Sequence, residues 1–145
     1  MKHLLVPVDA FSAERTQTAV AEAIARHRLD PVHVHLVSVQ PPVSGHVSMF
    51  FGDTELHGLQ EEYGHDEMAG ARALLEAAGV AYTEHVRVGR RAEAIASLAR
   101  ELPCDTILMG QDIHPGPVGR IFGSVAGQVR HLLEATPGGF QVIGS

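Results

Sequence analysis

An acid and a glycine-rich turn are the residues of this chain best placed for chemistry. Asp9 follows directly on the short apolar run His3 to Val8, and Gly110 follows directly on Thr106 to Met109. From Gly110 the chain runs through Gly116, Gly119 and Arg120 to Gly123-Ser124, where a helical pattern opens. A helix N-terminus presents N–H groups without intrahelical partners and a partial positive charge, so it suits a phosphate. The Ser124 hydroxyl adds a donor, and Arg120 is a possible phosphate contact.

Other residues invite chemistry less strongly. His33 and His35 stand two apart in a strand-like run and therefore share one face. Two such histidines could hold a metal, but no third ligand stands at a persuasive spacing, and a polar sheet face is the simpler reading. Cys104 is the single cysteine. It cannot form an internal disulfide, and its place before an apolar run marks it as a small core residue in a reducing compartment. His114 lies in a His-Pro-Gly stretch with no triad or paired carboxylates around it. No catalytic residue is expected. Arg90-Arg91 is the densest basic spot and reads as a solvated loop.

Strand and helix signals alternate along the 145 residues, which suit one domain spanning 1–145. The strand runs are His3–Val8, Val32–Val39, Val80–Val88, Thr106–Met109 and Phe140–Ile143. Between them lie helical patterns at Ala13–His27, Gly58–Ala78, Ala92–Leu102 and Ser124–Leu133. Strands separated by helices cross over in parallel. The expected fold is therefore an α/β, doubly wound, five-stranded parallel sheet with helices on both faces. It is Rossmann-like, with strand order 3-2-1-4-5. In such sheets ligands bind beyond the carboxyl ends of the strands, where the order reverses. If the first and fourth strands are neighbours, Asp9 and Gly110 face one crevice. The segment from Pro41 to His57 is irregular and carries Met49-Phe50-Phe51. Those residues cover a pocket, dock a partner or form a local cluster.

The formal net charge of −6 argues against duplex DNA or RNA as a partner. No window approaches the roughly 18 apolar residues of a membrane helix. The N-terminal apolar stretch is too short for a signal peptide, so a cytoplasmic setting is expected.

Leu-Leu-Val-Pro-Val-Asp at the start, Val-Ser-Val-Gln-Pro-Pro, Val-Arg-Val-Gly, and Met-Gly…Gly-Arg-Ile-Phe-Gly-Ser-Val resemble the universal stress protein family over nearly the whole chain. ATP-binding members carry G-x2-G-x9-G-[S/T]. Here the spacing is kept by Gly110, position 113, Gly123 and Ser124, but position 113 is Ile113. The resemblance implies Asp9 on the adenine or ribose side, Pro7 and Val8 beside the base, and Val39 against the adenine ring. Gly110, Gly123, Ser124 and Val125 would surround ribose and phosphates. Met109 and Ile113 would lie in the same loop, and Gly89 at the neighbouring strand end. The implied ligand is an adenine nucleotide, ATP with Mg2+. The implied role is a stress-response regulator with at most weak ATP hydrolysis. By the same resemblance the partner is a second copy, paired through the C-terminal strand 140–143, though Gly138-Gly139 stands where proline is more usual.

Ile113 opens an alternative. A β-branched residue resists positive φ, and Pro115 and Pro117 remove two donors from the loop. The chain is then a dimeric interaction module of the same kind that does not bind ATP.

Overall fold

The computed structural model describes residues 1–42, 52–110, 124–134, 136 and 139–144. Five strands form one parallel sheet: β1 (Lys2–Pro7), β2 (Val32–Gln40), β3 (Ala81–Val88), β4 (Thr106–Gly110) and β5 (Gln141–Gly144). Their order is β3-β2-β1-β4-β5, the order expected for the Rossmann-like fold. The described helices are α1 (Ala13–Leu29), α2 (Asp53–Glu67), α3 (Ala69–Ala77), α4 (Arg91–Glu101) and α5 (Val125–Leu133).

The apolar period explains the layering. Leu4, Val6, Val34 and Leu36 alternate onto one face and meet Ala19, Val20 and Ala23 of α1, Met68 at the junction before α3, and Ala71 and Leu75 of α3. Leu5, Val37, Ile107 and Met109 point the other way, against Ile95 and Ala96 of α4 and Val129 of α5. β1 lies at the centre, with Leu4 to Val6 at 1% exposure or less, and so serves both cores.

Start signals worked as read. Ser12 caps α1, its Oγ accepting from the Arg15 N–H at 3.2 Å. Gly79 follows α3 at φ +70. The single helix expected over Gly58–Ala78 is instead two, α2 and α3, which meet at Met68. The buried Met68 side chain anchors that junction in the core. Gly64 sits close on β3, because a Cβ there would lie 2.6 Å from Val86 Cγ2. The last strand runs Gln141–Gly144, one residue later than its apolar run. The Met49-Phe50-Phe51 run lies outside the described residues.

Candidate functional site

The carboxyl ends of β1 and β4 are adjacent, with Leu4 opposite Thr106 and Leu5 opposite Ile107. Asp9 leaves the first end and Gly110 closes the second. The link between them is Arg15, in the first turn of α1. Its Nε lies 3.8 Å from Asp9 Oδ2. Its carbonyl and Cγ pack on the α-carbon of Gly110, where any Cβ would collide with them. Gly110 also has φ +74. Two independent constraints, positive φ and close backbone approach, therefore require glycine there.

Asp9 is locally fixed. Its N–H donates to Thr16 Oγ1 at 2.9 Å, and its Oδ1 accepts from the Phe11 N–H at 2.9 Å. That turn leaves Phe11 fully exposed. Ahead of it, Pro7 and Val8 are buried, and the Val8 N–H donates to the Val37 carbonyl at 2.8 Å.

The neighbouring strand end is polar and buried. In β2, Ser38 donates to Glu67 at the end of α2, and Gln40 Nε2 donates to Ser38 Oγ at 3.0 Å. Ser38 has no exposed surface and Gln40 only 7%. The Gly89 N–H donates to the Gln40 carbonyl at 3.0 Å, which ties the end of β3 to the same place. Val39, half-buried, faces the α4 side of the sheet.

Arg91 departs from expectation. It does not lie on a solvated loop but opens α4. Its Nη1 donates to the Val8 carbonyl at 3.0 Å, laying the guanidinium over the end of β1. Burial lowers its pKa, while the nearby Asp9 charge acts the other way. Arg90 alone fits the solvated reading, exposed and 3.8 Å from Glu93.

Ser124 caps α5, its Oγ accepting from the Gly127 N–H at 2.9 Å, which leaves its own hydrogen free to donate. Ser124 and Val125 share a cleft of about 480 Å³ with Arg90, Arg91 and Gln128. A second cleft, of about 450 Å³, opens on the other side of Asp9 between α1 and α3. Pro7, Val8, Asp9, Val39, Gly89, Met109, Gly110, Ser124 and Val125 thus all lie at or beside the carboxyl end of the sheet. Ile113, Arg120 and Gly123 lie outside the described residues, as does His114. Sequence reasoning missed Arg15, Thr16, Ser38, Gln40 and Glu67, and misread Arg91. The one available signal was a Ser and a Gln in the apolar carboxyl half of β2.

Cys104 is buried, its Sγ 3.7 Å from the Ala99 carbonyl, and burial pushes the thiol up to about 11. A thiol so protonated is a poor nucleophile, in keeping with a core role.

A parallel sheet in this order, reversing between β1 and β4, defines a doubly wound, Rossmann-like α/β fold. The model for the universal stress protein family matches residues 1–135, and the chain belongs to that family. Among solved structures it is similar to a universal stress protein from Archaeoglobus fulgidus, at 24% identity over 99% of this chain and 98% of that one, with a TM-score of 0.69. A universal stress protein in complex with cAMP is 18% identical over 99% and 96% of the two chains, with a TM-score of 0.72. A universal stress protein from Archaeoglobus fulgidus in complex with dAMP is 22% identical over 99% and 97% of the two chains, with a TM-score of 0.63. No described helix is long and apolar enough to cross a membrane.

Proposed function

We propose that the crevice between Asp9 and Gly110 binds an adenine nucleotide, ATP with Mg2+, and that the chain acts by binding and signalling, as a homodimer, without strong catalysis. The juxtaposition of Asp9 and Gly110 about Arg15 carries this reading. A carboxylate suits sugar hydroxyls, and a capped helix start at Ser124 suits phosphate. The fold likeness to proteins in complex with cAMP and dAMP supports the ligand class. Isothermal calorimetry with ATP, dAMP and cAMP tests it. Heat that Asp9→Ala removes is the expected result, and no heat with any of the three at millimolar concentration rejects it.

The pairing surface would be β5, the sheet edge. An edge strand offers unpaired backbone groups to another chain.

One observation favours the other reading, a module that binds no nucleotide. The Arg91 guanidinium holds the Val8 carbonyl, beside the residues assigned to the base. Nucleotide binding gained in Arg91→Ala and absent from the unaltered chain would establish that reading.

A further inference from the structure

On one face of the sheet, running from the start of β1 to past the middle of β3, the register assembles four histidines that are scattered in sequence. His3 pairs with His33 across β1 and β2, and His35 sits two residues on from His33. His3 Nδ1 lies 3.0 Å from His35 Nε2, and His35 Nδ1 lies 3.0 Å from His85 Nε2. The ring centroids of His3, His33 and His35 stand 4.8 to 5.3 Å apart, and those of His35 and His85 5.2 Å. His33 Nε2 is 2.7 Å from Thr83 Oγ1. The central ring, His35, is only 7% exposed.

His35 spends both nitrogens on neighbours to either side, so the rings form a chain and do not chelate. Among the described residues no three His, Cys, Asp or Glu side chains are disposed to hold a metal. A chain of N–H···N bonds has a particular chemistry. Each link needs one N–H and one bare nitrogen. With all three rings neutral, His35 donates through one nitrogen and accepts through the other, so both links are made. Charging two of the rings leaves one link with an N–H on both sides and, where His35 is one of them, sets two cations about 5 Å apart.

We infer that this array is a proton-sensitive clasp that fastens the edge strand β3 to β2 at neutral pH and loosens on mild acidification. β3 is the strand free to yield, since it lies at the sheet edge with mostly half-exposed residues. The charges facing the array are few. Arg87 on β3 disfavours a proton on His85 and Glu101 of α4 favours one, and these two sit 3.5 Å from each other. His33 disfavours a proton on His35 from its own strand, as do His3 and His85 from β1 and β3. On the opposite face of β3, Glu84 holds Arg72 and His65. Its pKa lies below the ordinary carboxylate value, through Arg72 and His65, so that contact outlasts the histidine chain.

The sign follows from linkage. Unfolded histidines titrate near pH ~6.5. In the fold, burial and the neighbouring rings hold His35 down to about 4, with His33 and His85 also lowered. Below about pH 6.5 the unfolded chain therefore binds more protons, and stability falls as pH falls.

Amide hydrogen exchange on the whole chain, in EDTA and corrected for intrinsic rates, tests the clasp at pH 7 and 5.5. Protection over residues 81–88 should fall about tenfold or more, with 106–110 unchanged. His35→Phe keeps a ring and cannot titrate, so the fall should shrink severalfold. If that variant does not fold, His85→Gln on the edge strand serves instead. Equal protection of 81–88 at both pH values, or the same fall in the variant, overturns the inference.

Discussion

The carboxyl ends of the strands and the histidine array are built on different principles. At the carboxyl ends, the geometry is set largely by backbone: a glycine at φ +74, an acid that accepts a main-chain N–H, and two helix starts capped by serines. In the array it is set by four imidazoles that strand register brings together. Backbone geometry resists change and ignores pH, whereas an imidazole chain tolerates exposure and answers to protons. A site that must hold a ligand is better made the first way, and a sensor the second.

The sharpest way to break that contrast is at Gly110. Gly110→Val should cost about 3–5 kcal/mol, because it adds a β-branched residue at positive φ and drives a side chain into the Arg15 backbone. Urea unfolding measures this. A loss below about 1 kcal/mol would mean that the turn is soft and the crevice not backbone-built.

Next comes the histidine array. Between pH 7 and 5.5 the wild-type chain should lose about 1 kcal/mol for the His35 shift from 6.5 to about 4. The His35→Phe chain should show a flatter profile over the same window. Parallel profiles would remove any special standing of the histidine array.

How far each was legible follows from the same contrast. Asp9 and Gly110 could be read because each directly follows an apolar run, and topology alone makes the two runs neighbours. His33 and His35 were visible as a pair, yet their partners His3 and His85 were not. Which residue of β1 or β3 lies beside a given residue of β2 depends on a register that no local pattern states. Arg91 was misread for a related reason. A doublet of arginines after glycine looks solvated, and only the packing of α4 across the sheet end shows one of them reaching the Val8 carbonyl. The break at Met68 was hidden because apolar spacing continues through it.

A smaller effect separates the faces of β3. Glu84→Gln should remove stability at neutral pH and also erase part of the loss that the wild type shows below about pH 4.5. The lowered Glu84 pKa contributes stability that is present above the unfolded carboxylate range and vanishes as pH falls through the folded value. Its partners are partly exposed, so the change should stay within about 1 kcal/mol.

The smallest expected change in stability concerns the edge strand β5. Arg130 of α5 donates through Nε and Nη2 to the Val142 carbonyl at 3.3 and 3.0 Å, and through Nη2 to the Gly144 carbonyl at 2.6 Å. The adjoining Gln141 N–H turns inward, to the Asp105 carbonyl at 2.8 Å, so the carbonyls Arg130 takes belong to the alternate residues along the strand. Arg130 thus occupies acceptors that a second chain would need for strand pairing. Arg130→Ala, at an exposed position, should change stability by no more than about 0.5 kcal/mol. Its effect on association should be larger. If two copies pair through β5, freeing those carbonyls shifts sedimentation equilibrium toward the dimer. An unchanged or weakened dimer would mean that the pairing surface lies elsewhere, or that the arginine itself bridges the two copies.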